Sequence, residues 1–181
     1  MEMKYFRKLA GSLCYLSPIC IDDAHTYTEW LNDLEITRYL TLSALSINEH
    51  SERQALERLA SEHTYAIIDA ARDTLIGNCG LQNWDRVHQT AEIGIFIGDR
   101  EYLGQGYGSE AMRLLARYAF EYLNIRSLLL RVHSDNPRAI ASYRKVGFRE
   151  VGTWHSSIGR GAERCDTIFM ELLPEWLGEK L

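Results

Sequence analysis

Proline is scarce in this chain, with three in 181 residues, beside 13 glycines and four cysteines. So few chain-breaking residues exclude collagen-like, low-complexity and disordered classes. Long hydrophobic runs are missing too: no stretch approaches the roughly 18 apolar residues of a membrane-spanning helix. Residues 1–10 carry Lys4, Arg7 and Lys8 with no apolar run behind them, so a cytoplasmic protein is expected. Cys14, Cys20, Cys79 and Cys165 are spaced too widely or irregularly for a zinc motif and lie among apolar residues, which predicts buried, reduced thiols and no metal. A basic excess is also lacking. Twenty Lys and Arg against 25 Asp and Glu leave a net charge of −5, which argues against broad binding to nucleic acid or acidic membranes. That charge is uneven: residues 101–150 hold eight basic and five acidic side chains, so they carry +3 and the rest carries −8. An anionic ligand suits the first part and a cationic one the second.

What is present is an ordinary globular composition, 46% hydrophobic and 25% charged. A chain of this size buries about 70% of its unfolded surface, enough for one core without staples. Apolar periodicity runs from Leu13 to Leu173 without a linker or repeat, so one domain filling the chain is expected. Strands are predicted at 13–16, 65–69, 75–84, 91–98, 127–133, 148–155 and 164–173, the last two joined by a turn at 158–161. Helices are predicted after Asp22 and Asp23, with Ala24, Tyr27, Trp30, Leu31 and Leu34 on one face, and over 48–61 with Asn48 as cap. Ala111, Leu114, Leu115, Tyr118, Ala119 and Tyr122 recur at steps of three and four, marking a third helix from about Gly106. Asn136, Pro137 and Gly147 bracket a fourth. The apolar run 127–133, reached by a helical crossover, reads as a buried strand in parallel pairing. A mixed α/β sandwich results.

The chemistry concentrates in Gly104-Gln105-Gly106-Tyr107-Gly108-Ser109, between a strand and the third helix. Alternating glycines allow close backbone approach, and a helix start presents N–H groups and dipole to an anion such as a phosphate. A tight turn without ligand has the same letters. Gly108-Ser109-Glu110 lacks the lysine of an ATPase P-loop. Ser109 stands where a dinucleotide fingerprint has its third glycine, and Asp135 is too far on to be the ribose carboxylate.

Three segments resemble the Gcn5-related N-acetyltransferases (GNAT). They are Glu92-Ile-Gly-Ile-Phe-Ile-Gly98, Tyr102-Leu-Gly-Gln-Gly-Tyr-Gly-Ser-Glu-Ala111, and Asn136-Pro-Arg-Ala139 with Tyr143-Arg-Lys-Val-Gly-Phe148. Glu29-Trp-Leu-Asn-Asp33 and residues 161–170 are similar to the branch holding ribosomal-protein N-terminal and spermidine acetyltransferases. Leu103 departs from the Gln or Arg of many members. The resemblance implies a mostly antiparallel seven-stranded sheet with helices on both faces, and a parallel pair, 91–98 and 127–133, that splays around acetyl-CoA. Ile95, Phe96 and Ile97 would pair their backbone with the pantetheine arm. The amides of Leu103, Gly104, Gln105, Gly106, Tyr107 and Gly108, with Ser109, would hold the pyrophosphate. Asn136 would bind near the pantetheine, and Arg138 and Lys145 would reach the phosphates.

Acetyl transfer to an amine needs a neutral amine, a donor to the oxyanion and a proton for the thiolate. A backbone N–H near Phe96 suits the oxyanion. Tyr143 matches the family acid and Glu92 a family base position, with His133 a second candidate. By themselves these residues also read as core tyrosine, strand-end carboxylate and strand-end histidine, and Asn136 as a helix cap. The acceptor pocket implied by the family draws on Trp30, Glu35, Tyr39, Trp84 and His155, aromatic rings with a carboxylate that suit a cationic amine. The expected protein is an acetyl-CoA-dependent N-acetyltransferase acting in a ternary complex without metal. Its acceptor would be a protein N-terminus, a polyamine or another small amine. A CoA-binding sensor without turnover is the alternative. Trp176, Leu177 and Leu181 are candidates for a homodimer contact.

Overall fold

A sheet with helices on both faces buries successive residues of its strands, and all six residues of Thr64–Asp69 are buried. In the computed structural model, which describes residues 4–178, one sheet contains β1 (Leu9–Ala10), β2 (Cys14–Pro18), β3 (Thr64–Asp69), β4 (Thr74–Asp85), β5 (Thr90–Ile97), β6 (Ser127–His133), β7 (Arg149–Arg160) and β8 (Glu163–Leu172). The order is β1-β2-β3-β4-β5-β6-β8-β7. Among the described residues, only β5 and β6 pair in parallel. Seven strands match those predicted. The eighth, β1, pairs just Leu9 with Leu16 and Ala10 with Tyr15, and two residues are too few to show a period.

Helices α1 (Ala24–Asn32), α2 (Glu49–Ala60), α3 (Tyr107–Tyr122) and α4 (Pro137–Val146) cover the sheet. Tyr15, Ala66 and Ile68 point toward Ala24, Tyr27 and Leu56 of α1 and α2. Leu16, Ile67, Ile93 and Leu130 point the opposite way, into a larger core with Ala111, Met112, Leu115 and Ala119 of α3 and Ile140 and Val146 of α4. Burial of this second face fixes α3 against β5, which places the α3 N-terminus beside the end of that strand.

Side-chain caps set the starts of α2 and α4. Asn48 accepts from the Ser51 amide at 2.9 Å, and Asn136 from the Ala139 amide at 3.2 Å, with Pro137 at the first helical position. Helix α1 stops earlier than its apolar pattern predicts. The Asp33 carboxylate captures the amides of Glu35 at 2.9 Å and Ile36 at 3.4 Å, so Leu34 leaves the helix and stands 70% exposed. The last hairpin is longer than expected, because β7 continues to Arg160 and turns at Gly161, where φ is +60°. Trp176 and Leu177, the candidate dimer residues, are half-buried. They pack against this chain's own core, and Arg149 lies 4.1 Å from the Trp176 ring centroid. Leu181 lies outside the described residues.

Candidate functional site

The parallel strands β5 and β6 are paired only at Thr90 with Ser127, Ala91 with Leu128 and Glu92 with Leu129. Beyond Glu92 they separate, while β5 continues to pair with β4 as far as Ile97 opposite Gly77. One edge of β5 is therefore unpaired next to a fork. Strand alternation decides which peptides face it. The Gly98 amide bonds to Ile76 of β4 at 2.9 Å, and the Phe96 carbonyl points at Gly77. Phe96 thus turns its peptide groups toward β4, and Ile95 and Ile97 turn theirs into the fork. The free amides near Phe96 are therefore those of Ile95 and Ile97, and Phe96 itself, expected to pair with the pantetheine arm, pairs with Asn78 of β4 instead.

A cleft of ≈ 330 Å³ occupies the fork. Ile95, Phe96 and Ile97 form one wall; Leu103, Gly104, Gly106, Gly108 and Ser109 form its end; Asn136, Arg138, Tyr143 and Lys145 of α4 face them. Backbone conformation explains the end wall. Gly104 and Gly106 have φ of +77° and +96°, values other residues adopt only with strain. Gly106 precedes α3 with no side-chain cap, so the first amides of the helix keep no internal acceptor. Those N–H groups, the helix dipole and the cations Arg138 and Lys145 make one end of the cleft suited to an anion.

Two predicted residues, Gln105 and Tyr107, are not on the cleft wall. Gln105 turns its amide onto the Glu101 carbonyl. Tyr107 packs edge-on against Tyr102 and donates to Asp69 at 3.3 Å. Sequence reasoning missed Ser142, which lines the cleft and shares a 2.8 Å hydrogen bond with Ser109. Its spacing of one residue from Tyr143 gave no signal. It also missed Ile36 and Leu40, which line the cleft with Tyr39, and Tyr102, which lines it too.

Tyr143 sits edge-on to Phe148, with ring centroids 6.0 Å apart. Burial pushes its phenol up to about 12, so it stays protonated at neutral pH and can donate. Glu92 stands at the last paired position before the fork and is not on the cleft wall. Its Oε2 accepts from Arg131 at 2.8 Å and its Oε1 from Asn83 at 3.0 Å, which fixes the carboxylate's orientation. His133 meets Tyr39 edge-on at 5.9 Å.

The expected acceptor residues do not converge. Tyr39 does line the cleft, and its hydroxyl donates to the Asp135 carbonyl at 3.1 Å. Trp30 is a packing residue, edge-on to Phe96 at 6.1 Å and seated over Gly98, where even a Cβ would collide with its ring at 2.1 Å. Glu35 is taken by Arg100 at 2.5 Å, in a network that also holds Asp33. Trp84 stacks edge-on with His63 at 5.1 Å and packs on the α3 side of the sheet. His155 is paired with Asp166 at 3.1 Å in the exposed hairpin. Aromatic and acidic residue types predicted a pocket, but packing and ion pairing used most of them.

A family model described as an acetyltransferase (GNAT) domain matches residues 14–149. The chain belongs to the GNAT family. Among its relatives is an uncharacterized N-acetyltransferase, p20, of Bacillus licheniformis, 27% identical over 84% of this chain and 85% of the relative. A spermidine N(1)-acetyltransferase of Vibrio cholerae is 30% identical over 54% of this chain and 59% of the relative. The crystal structure of spermidine N-acetyltransferase from V. cholerae, in complex with CoA and spermine, superposes with a TM-score of 0.79 at 24% identity. That match covers 92% of this chain and 98% of that one. Both the GNAT sheet and its parallel fork are therefore present in this member. Among the described residues, no helix is long and apolar enough to cross a membrane.

Proposed function

We propose that this GNAT protein binds acetyl-CoA in the fork between β5 and β6 and transfers the acetyl group directly to a primary amine. The observation that carries the reading is the termination of β5–β6 pairing at Glu92, beside an uncapped α3 N-terminus with two positive-φ glycines. An extended pantetheine arm would supply the missing strand partner to Ile95 and Ile97. The pyrophosphate would rest on the amides of residues 103–108, with Ser109 beside them and Arg138 and Lys145 supplying charge.

Chemistry follows from what the fork leaves free. The amine nitrogen attacks the thioester carbon, and the oxyanion that forms accepts from an unpaired β5 amide, Ile95 or Ile97. An alkylamine has a pKa near ~10 and must lose a proton before attack. Glu92, oriented by Arg131 and Asn83, takes that proton through water. As the C–S bond breaks, Tyr143 donates to the departing sulfur. A phenol pushed up to about 12 is a weaker acid than a thiol of pKa about 8.5. Complete transfer from Tyr143 alone is uphill. The phenol therefore hydrogen-bonds the developing thiolate, while the proton supply is completed by the acetylated nitrogen as it becomes an amide.

The acceptor class that fits is a primary amine, with a polyamine or a protein N-terminus as members. The test is production of acetylated spermidine or acetylated peptide by the full-length protein, read by mass spectrometry, in the wild type and in Tyr143→Phe. The variant should keep acetyl-CoA affinity and lose on the order of 100-fold in kcat. Unchanged kcat would remove Tyr143 from the mechanism. Binding with no product on any amine would favour the sensor reading.

A further inference from the structure

Outside the acetyl-CoA cleft, three metal-binding side chains meet at the end of β6. His133, Asp135 and Cys165 each bring one ligand atom within 4.8 Å of the others. They come from two segments 30 residues apart, so no spacing motif announces them. The sheet holds both segments in register: His133 pairs with Thr167, and the Ser134 amide bonds to the Asp166 carbonyl at 2.9 Å. The Asp166 amide in turn bonds to the Ser134 hydroxyl at 3.0 Å. The ligand positions are thus fixed by backbone pairing.

Size and chemistry agree with one cation type. In a tetrahedral zinc site, with Zn–S about 2.3 Å and Zn–O about 2.0 Å, a thiolate and a carboxylate oxygen stand about 3.5 Å apart. Cys165 Sγ and Asp135 Oδ1 are 3.6 Å apart. An imidazole, a thiolate and a carboxylate suit a borderline-soft divalent ion and leave a fourth position for water. Calcium and magnesium, which take six or more oxygens, do not fit. Cys14 and Cys79 offer no competing thiolate, since burial pushes both thiols far up.

We propose that His133, Asp135 and Cys165 bind one zinc-type cation, and that its occupancy slows turnover by immobilising Tyr39. On binding, the Cys165 thiol releases its proton to water and the sulfur lone pair forms the metal bond. Tyr39 is tied to this cluster twice, through its hydroxyl on the Asp135 carbonyl and its ring against His133. The same residue lines the cleft, with Ile36 and Leu40 of the segment joining α1 to α2. The effect on turnover rests on the acetyl-transfer reading. Metal binding does not.

Cobalt(II) titration of the full-length protein separates the two. One equivalent should produce thiolate-to-cobalt charge-transfer absorption in the near ultraviolet, displaced by zinc. Cys165→Ser should abolish that band, Asp135→Asn should weaken binding at least tenfold, and Cys20→Ser should leave it intact. Melting temperatures of the metal-free variants check that each is folded. In parallel, zinc should slow formation of acetylated amine in the wild type and not in Cys165→Ser, with the product counted by mass spectrometry because free CoA itself binds zinc. Absence of the band in the wild type, or its survival in Cys165→Ser, overturns the site. Equal zinc inhibition in Cys165→Ser overturns the link to Tyr39. An active enzyme without the band leaves acetyl transfer standing.

Discussion

Glu110 shows how much one residue can do for this fold. It lies in the first turn of α3 and is 3% exposed, yet its carboxylate bonds outward to the turn between β1 and β2. Its oxygens accept from the amides of Ser12 at 3.0 Å, Leu13 at 2.7 Å and Cys14 at 2.7 Å, and from the Ser12 hydroxyl at 2.6 Å. Burial opposes its ionisation, but the Ser12 hydroxyl and these amides outweigh burial and hold its pKa below the ordinary value. A depressed folded-state pKa stabilises above the unfolded value near ~4.3, and that contribution is lost as pH falls through the folded value. Glu110→Gln should therefore lose on the order of 2–3 kcal/mol at pH 7, because a glutamine nitrogen cannot accept from an amide. Urea melts should show the gap to wild type narrowing toward about pH 3. A gap independent of pH would contradict the role given to the charge. From the sequence, Glu110 reads only as part of a motif, because its partners lie 96–98 residues away.

At the scale of elements, the loop before α3 carries the strongest demand on residue type. Gly106 has φ of +96°, and a Cβ there would stand 3.4 Å from Leu13 Cδ1. A β-branched side chain at positive φ costs about 1–3 kcal/mol. Gly106→Val should lower the melting temperature and weaken acetyl-CoA binding at least tenfold by calorimetry, since the amides that it misdirects are those proposed for the pyrophosphate. Unaltered affinity would move the phosphate site elsewhere. The sequence made this element legible because its cues are local: alternate glycines followed by a 3.6-residue apolar stripe. The wall of the cleft was legible for the same reason, since Ile95 and Ile97, and Asn136 and Tyr143, sit at fixed spacings within or beside single elements. The acceptor wall was not. Trp30, Glu35 and Trp84 have suitable chemistry, but Gly98, Arg100 and His63, each far away in sequence, decide where they point.

For the whole molecule, alternation and helix caps foretold the strand and helix order, and the parallel pair followed from a crossover helix leading to the apolar run 127–133. The point where that pair separates was not written in the periodicity. Strand β5 stays apolar from Ile93 to Ile97, past Glu92, and only its register with β6 shows that pairing stops there. The measurement that tests the account most directly is the melting temperature of the full-length protein with and without acetyl-CoA, with ATP and NADH as controls. A ligand held only by the folded state at one hundred times its Kd stabilises by about 2.7 kcal/mol. For a chain of this length that is a rise of roughly 5–10 °C. A rise of that size with acetyl-CoA and not with the controls is the predicted result. No rise at saturating acetyl-CoA would contradict the proposal that the fork is its binding site.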